Sequence, residues 1–250
     1  MLFRSTFRPP PHEPDPILPV TQTIISKLFR GTNPYDGFPL DRKQKDLQGW
    51  NSQHPYLTSS VRTLRPNLIV EIGVWKGGSC TTMARELKSL GIDGCIIAVD
   101  TWLGSSEHWI QPQFFPELAL RIGRPTLYEI FLNNILAEGL DGHVLPLPLD
   151  SSNAANVLSS LGLKPELIHI DASHDFESTM ADLARWWRIL LPGGHLIVDD
   201  YDQSGRIWPS VKRAVDEFRS KLDRHDFEAI PNKCRIHKPV SRAPAPPATS

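Results

Sequence analysis

Short apolar runs alternate along the chain with longer segments in which apolar residues recur at helical spacing. The runs predict buried strands at residues 67–72, 95–99, 143–147, 166–170 and 195–198. The segments between them predict helices at residues 79–90, 126–138, 153–161 and 177–191, and Pro192-Gly193-Gly194 stops the last one. A further helix at residues 210–223 leads to two short antiparallel strands, 226–230 and 233–237.

Strands that alternate with helices are typical of a parallel sheet covered by helices on both faces. The five strands and the C-terminal antiparallel pair predict an α/β fold with a Rossmann-like, doubly wound, seven-stranded and mostly parallel sheet. In this architecture ligands bind in the crevice outside the carboxyl ends of the strands. We therefore expect the functional residues at the strand ends.

The two ends of the chain differ in composition from the middle. Residues 1–20 and 239–250 are rich in proline and lack an apolar period, which predicts an irregular N-terminal segment and a disordered tail around one domain at residues 21–238. Residues 1–20 also lack the apolar core of a secretory signal. No apolar run approaches the ~18 residues of a membrane span.

The net charge and the cysteine content limit the classes of partner that we expect. With 27 basic and 28 acidic side chains the charge is −1, which leaves no positive excess for binding nucleic acid. The three cysteines show no paired spacing, which excludes a disulfide framework and a cysteine zinc site. We expect a cytoplasmic protein that acts on a small molecule, without a nucleic acid or membrane partner.

The first predicted strand runs into a glycine-rich turn that opens a helix. The strand ends with Glu71 near the turn, which contains Gly73, Trp75, Gly77, Gly78 and Ser79. Glycines let the backbone approach a ligand closely, and the helix N-terminus offers free N–H groups to an anionic group. The spacing departs from the G-x-G-x-x-G of dinucleotide sites, so an NAD(P)-dependent oxidoreductase is the less favoured alternative.

Asp100 follows the second strand, where a carboxylate either holds the two hydroxyls of a ribose or only caps a loop. Together with Asp100, the turn resembles motifs I and II of the class I methyltransferases, whose motif I reads E-x-G-x-x-x-G. The resemblance covers about residues 45–238 and implies S-adenosylmethionine as cofactor, with its amino-acid part on the turn and its ribose on Asp100. It also implies that Asp150 and Ser151 lie beside the adenine, whereas Trp102 either stacks on the adenine or belongs to the core.

Three further carboxylates follow adjacent strands. Asp171 ends the fourth strand, and Asp199 and Asp200 end the fifth. Like charges at close range repel, and a divalent cation such as Mg²⁺ relieves this, with Ca²⁺ or Mn²⁺ as alternatives. The competing interpretation pairs the two later acids with Arg185 or Arg206.

These acids resemble the metal ligands of the metal-dependent O-methyltransferases of the catechol, caffeoyl-CoA and macrolide-sugar kinds. The resemblance implies that Asp171, Asp199 and Asp200 bind the metal. Residues 170–177 also resemble the I-D-G-x-H-x-Y-E segment of the sugar enzymes and the cephalosporin hydroxylase-like proteins, with Ala172 in place of Gly and Phe176 in place of Tyr. The function implied is metal-assisted methyl transfer to a hydroxyl.

A base is needed to take the proton of that hydroxyl. His174 is the first candidate because an imidazole titrates near neutral pH. Asp171 is the second candidate, and in that case His174 orients other groups. His169 alternates with apolar residues in a strand and is expected to be a buried core residue.

The acceptor is expected under the insertion at residues 101–125 and residues 49–54 before the first strand, with Trp109, Phe114 and Phe115 as walls. Aromatic walls suit both a phenol and a sugar, so both stay open. The resemblance to the sugar enzymes suggests a homodimer. A non-enzymatic alternative is a catalytically silent module that binds S-adenosylmethionine.

Overall fold

The computed structural model describes residues 19–240. The predicted N-terminal segment and C-terminal tail therefore fall mostly outside the described residues. Pro19 and Val20, which the sequence assigned to the irregular segment, instead begin the first helix.

A seven-stranded sheet forms the centre of the molecule, in the order β3-β2-β1-β4-β5-β7-β6. The strands are β1 (Leu68–Ile72), β2 (Cys95–Val99), β3 (Val144–Leu147), β4 (Leu167–Ile170), β5 (His195–Asp199), β6 (Asp226–Ile230) and β7 (Lys233–His237). The first five pair in parallel, and β7 is antiparallel to both β5 and β6. The predicted Rossmann-like α/β fold is confirmed.

Eight α-helices surround the sheet in the described part of the chain. They are α1 (Pro19–Leu28), α2 (Pro55–Leu64), α3 (Gly78–Ser89), α4 (Ser106–Ile110), α5 (Leu127–Glu138), α6 (Ser151–Ser160), α7 (Phe176–Ile189) and α8 (Pro209–Ser220), with short 3₁₀ turns at Arg42–Gln44 and Phe115–Leu118. The sequence missed α1, α2 and α4. Within residues 19–240, no helix has the length and apolar character needed to cross a bilayer.

The sheet is buried on both faces, as its apolar composition requires. Every residue of β1, β2, β4 and β5 is buried, and parallel strands covered by helices read as continuous apolar runs for this reason. The largest fully buried side chain is Trp186 of α7. Its indole Nε1 donates to Ser151 Oγ at 2.8 Å, so even this group has a partner.

Residues 41–52, the strap, lead from α1 toward α2 across the carboxyl edge of the sheet. Two asparagines of α5 hold the strap, because Asp41 N donates to Asn133 Oδ1 at 2.8 Å and Asp46 N donates to Asn134 Oδ1 at 2.9 Å. The Asn134 amide also donates to the carbonyl of Lys76 at 2.8 Å, in the turn after β1. The strap is thereby fixed to that turn.

The ends of β1 and β4 approach most closely at Gly73, which has φ +77°. A Cβ at this position would lie 1.8 Å from the carbonyl oxygen of Asp171. We expect Gly73→Ala to lower the free energy of unfolding by about 2–5 kcal/mol, because it adds left-handed strain and a backbone clash. Urea denaturation measures this.

The matched control is Gly91→Ala. Gly91 also has positive φ (+58°), but a Cβ there would meet nothing within 4 Å. The free energy of unfolding of Gly91→Ala should fall by only about 1 kcal/mol, because left-handed strain is added without a clash. Equal losses in the two variants would contradict a close approach at Gly73.

Candidate active site

A cavity of about 1060 Å³ opens at the carboxyl ends of the parallel strands. Most of the predicted site residues line it, namely Glu71, Gly73, Trp75, Gly78, Ser79, Asp100, Asp150, Ser151, Asp171, His174, Asp199 and Asp200. The topology explains this convergence, since parallel strands place all their carboxyl ends at one edge.

Gly77 and Trp102 were predicted to contact the cofactor but do not line the cavity. Gly77 precedes α3 in the left-handed conformation (φ +89°), and a Cβ there would lie 3.0 Å from the ring of Phe131. Trp102 is 2% exposed, and its Nε1 donates to the Trp75 carbonyl at 2.8 Å. Trp102 is therefore a core residue, the second of its two interpretations.

Asp100 holds the turn after β1 in place. Its Oδ2 accepts hydrogen bonds from Val74 N at 2.8 Å and Trp75 N at 2.9 Å, while Oδ1 accepts from Trp102 N at 2.7 Å. Asp100 therefore caps this loop through its carboxylate. Each carboxylate oxygen has two lone pairs, so binding of ribose hydroxyls stays a prediction.

The two residues predicted beside the adenine begin α6. Asp150 caps the helix by accepting from Asn153 N at 3.0 Å. Ser151 Oγ donates to Asp182 Oδ1 at 2.5 Å and accepts from the buried Trp186 indole. The Ser151 hydroxyl is therefore engaged within the protein, and Asp150 carries the more available polar group.

The carboxyl groups of Asp171 and Asp199 lie within hydrogen-bonding reach of each other. Burial, followed by the charge of Asp199, raises the pKa of Asp171 well above its usual value. Burial also raises the pKa of Asp199, and the ammonium of Lys233 opposes that shift. Two carboxyls in such contact need a proton or a cation between them.

Lys233, the first residue of β7, is fully buried beneath these acids. Its ammonium contacts Asp199 Oδ2 and donates to His169 Nε2 at 3.1 Å. The pairing of Asp199 with Lys233 in the antiparallel register brings them together. The proposed pairing of the strand-end acids with Arg185 or Arg206 is wrong, because Lys233 takes that role for Asp199.

A row of buried polar side chains continues from Lys233 under the sheet edge. His169 Nδ1 lies 3.1 Å from Glu71 Oε1, and Cys80 Sγ lies 2.6 Å from Glu71 Oε2. Ligand atoms of His169, Asp171 and Asp199 lie within 4.8 Å of one another, as in a metal site. Both nitrogens of His169 already have partners, however, so the carboxylates are the better ligands.

His174 is held between an acid and an aromatic ring. Its Nε2 lies 2.9 Å from Asp200 Oδ2. Its ring stacks on Trp208, with 3.8 Å between the centroids and 18° between the planes. The imidazole therefore has a fixed plane beside the carboxylates, as a base or an orienting group requires.

Left-handed backbone is concentrated around the cavity. Ten non-glycine residues among residues 19–240 have positive φ, and five of them line the cavity: Asn51, Trp75, Asp200, Trp208 and Asn232. Such conformations cost about 1–3 kcal/mol for bulky residues and cluster at functional sites. Trp208, at φ 47°, is the largest of those beside the strand-end acids.

The acceptor end of the cavity is formed by the insertion at residues 101–125 and by the strap. The ring of His108 stacks on Trp75 at 4.4 Å, and Phe114 also lines the cavity. Trp109 and Phe115 were predicted as walls, but they contact each other edge to face, are largely exposed and do not line it. The strap contributes residues that the sequence did not assign individually, including Gln48.

The charge at the strand ends fits a divalent cation. When all three are ionised, Asp171, Asp199 and Asp200 carry three negative charges, and the ammonium of Lys233 balances one of them, which leaves two for a bound cation. Oxygen ligands of this kind are those that Mg²⁺ prefers. The residues present therefore fit the predicted metal.

The sequence model of a family described as a methyltransferase domain matches residues 70–201. The chain belongs to this methyltransferase family. The match spans β1 to the end of β5 and includes the turn at Gly73 and all three strand-end acids. The predicted membership is confirmed. No curated protein matches the chain significantly.

Solved structures show the same fold at low sequence identity. An O-methyltransferase from Bacillus cereus in complex with SAH superposes with a TM-score of 0.55 at 16% identity, over 86% of this chain and 95% of that one. The O-methyltransferase NovP gives 0.54 at 22%, over 79% and 80%. The O-methyltransferase TomG from Streptomyces achromogenes, involved in tomaymycin synthesis and bound to SAM, gives 0.56 at 15%, over 88% and 96%.

Burial raises the pKa of Glu71 from 4.5 to about 8. A carboxyl whose pKa is higher in the folded state stabilises the fold below pH 4.5, and this contribution is lost as the pH rises toward 8. We expect Glu71→Gln, which cannot ionise, to lose less stability between pH 5 and pH 8 than the unmodified protein. The slopes of the free energy of unfolding against pH should differ between the two proteins by about 1 kcal/mol per pH unit.

Urea denaturation at several pH values, with EDTA present, measures these slopes. Glu129→Gln, a change at an exposed acid outside the cavity, should keep the original slope. A Glu71→Gln slope equal to that of the unmodified protein would show that Glu71 is ionised throughout.

Proposed function

We propose that the chain is an S-adenosylmethionine-dependent O-methyltransferase that methylates a hydroxyl of a small molecule held at the acidic strand ends by a divalent metal. The observation that carries this proposal is the contact of Asp171, Asp199 and Asp200 with one cavity that also contains the glycine-rich turn. The neighbouring structures of O-methyltransferases bound to SAH or SAM support the choice of cofactor and of oxygen as acceptor.

The methyl donor binds along the turn after β1. Free N–H groups at the start of α3 face the donor's carboxylate, with Gly78 and Ser79 as the first residues of that helix. Asp100 keeps the turn in shape and offers the one lone pair that remains on Oδ1 to a ribose hydroxyl. Asp150 lies at the far side, where the adenine is expected.

Asp171, Asp199 and Asp200 hold the metal. When bound, a divalent cation orients the acceptor hydroxyl and lowers its pKa. Lys233 holds Asp199 in position from below the sheet edge and opposes the rise in its pKa that burial causes. The position of the hydroxyl is thus set by the same acids that end β4 and β5.

His174 takes the proton of the acceptor hydroxyl. The oxygen then forms a bond to the methyl carbon while the carbon–sulfur bond breaks, and the sulfur leaves with the electron pair as S-adenosylhomocysteine. The reaction is an in-line displacement, so alignment is the main contribution of the protein. Asp171 is the second candidate for the base, and in that case His174 only orients Asp200.

The metal site is tested with Asp200→Asn. We expect S-adenosylmethionine to raise the melting temperature of the unmodified protein and Mg²⁺ to raise it further. Asp200→Asn should keep the first shift, lose the second and lose turnover. Asp199→Asn is the poorer variant, because it leaves the buried ammonium of Lys233 unpaired, at a cost of about 3–5 kcal/mol.

Asp226→Asn, at an exposed position of β6, is the control and should behave as the unmodified protein. The absence of a shift with S-adenosylmethionine would refute the proposed cofactor. Full turnover with excess EDTA would refute the metal but not the methyl transfer.

The base is tested with His174→Gln, which removes the imidazole but keeps a polar side chain. If His174 is the base, kcat should fall about 10²- to 10⁴-fold while binding of S-adenosylmethionine is unchanged. Rates of S-adenosylhomocysteine release at saturating acceptor measure this. A fall below tenfold would assign proton removal to Asp171.

A further inference from the structure

The charges that line the cavity are strongly unequal in sign. Eight of its lining residues are aspartate or glutamate, whereas Arg185 is the one lysine or arginine among those that the structure describes there. Walls of low dielectric constant concentrate the field of such charges inside a cleft. Which acceptor charge the site favours therefore depends on which of these acids keep an unbalanced negative charge.

Most of these acids are balanced by groups already described. Arg185 lies 3.1 Å from Asp182 and neutralises it. Lys233 and the proposed divalent cation balance the three acids at the ends of β4 and β5. Glu71 is protonated at neutral pH, because burial raises its pKa to about 8.

Two more acids belong to the cofactor end of the cavity. Asp100 accepts backbone hydrogen bonds from the turn after β1, and Asp150 caps α6. S-adenosylmethionine carries a sulfonium, an ammonium and a carboxylate, so it brings one net positive charge to this end. Both acids lie at the cofactor end, and the donor balances one of their two negative charges there.

Glu107 is the acid that remains unbalanced at the acceptor end. It lies in α4, is partly buried and lines the acceptor end of the cavity. Hydroxyl groups contact its carboxylate, among them Ser106 Oγ at 3.3 Å, but no lysine or arginine whose side chain the structure describes forms an ion pair with it. A hydrogen bond from Ser105 is the main cause that lowers its pKa, with a smaller contribution from His174, so the group is anionic.

We propose that Glu107 is a specificity-determining residue that makes the site select uncharged or cationic acceptors and reject anionic ones such as carboxylates, phosphates and coenzyme A esters. This selection rests on the function proposed above. The unpaired charge of Glu107 repels an anion at the acceptor end, while the stacked rings of Trp208 and His174 offer a flat apolar surface to an uncharged ring. Arg206, two residues before Trp208, is exposed and does not line the cavity, so it provides no positive charge to balance Glu107.

The test uses acceptors that share one scaffold and differ in the charge of one substituent. One series consists of 1,2-dihydroxybenzenes with a methyl, an aminoethyl or a carboxylate substituent, and a second consists of methyl glucoside, glucosamine and glucuronate. For each, kcat/KM is measured from release of S-adenosylhomocysteine with Mg²⁺ present. The unmodified protein should use the anionic member roughly tenfold less well than the uncharged member.

Variants separate the effect of Glu107 from the intrinsic reactivity of the acceptors. In Glu107→Gln the ratio of anionic to uncharged kcat/KM should rise about tenfold, and in Glu107→Lys it should rise further. Glu129→Gln, with the same chemical change outside the cavity, should leave the ratio unchanged. Added salt should weaken the discrimination of the unmodified protein.

An unchanged ratio in Glu107→Gln, or equal use of all three members by the unmodified protein, would overturn the proposal. If no acceptor is methylated, binding in the presence of S-adenosylhomocysteine is followed by quenching of tryptophan fluorescence, since Trp50 and Trp208 line the cavity. If the anionic member then binds more weakly than the uncharged and cationic members, the proposed selection by Glu107 is supported even though the proposed reaction has failed. Binding of the anionic member as tightly as the others, or binding of none, refutes it.

Discussion

The ion pair between Lys233 and Asp199 is the interaction on which the arrangement of the site depends. It joins the antiparallel strand β7 to the end of the parallel strand β5, inside the sheet. A buried ammonium without its carboxylate would cost several kcal/mol. The C-terminal strand pair is therefore part of the site, because it supplies the charge that keeps the acids together.

The same ammonium connects the strand-end acids to the core of the methyltransferase fold. Through His169 it contacts Glu71, which belongs to the strand that leads into the glycine-rich turn. The cofactor turn and the acidic strand ends thus share one buried hydrogen-bonded row. A substitution at the glycine-rich turn is therefore expected to affect the acidic strand ends through these side chains, and the reverse is also expected.

Periodicity in the sequence predicted all seven strands and five of the eight described α-helices, with ends correct to within three residues. These elements have strong apolar patterns. The missed helices α1 and α2 begin with Pro19 and Pro55, which looked like irregular sequence. Proline is favoured in the first turn of a helix, so this signal was present but was not used.

The site was predicted in outline because strand ends converge in any parallel sheet, and Asp171, Asp199 and Asp200 follow strands that were recognised. Lys233 was missed, since lysine is rarely buried and its partner follows only from the antiparallel register. Local sequence also gave no means to tell that Phe114 faces the cavity while Trp109 and Phe115 face outward. That distinction depends on how the insertion packs.

The left-handed residues around the cavity have a consequence for protein engineering. Replacement of Trp208 or Asn51 by glycine removes backbone strain, so a search for thermostable variants would favour such changes. The same side chains form the walls of the cavity. Selection for heat resistance alone would therefore alter the walls of this cavity, and thermostable variants are best sought away from these positions.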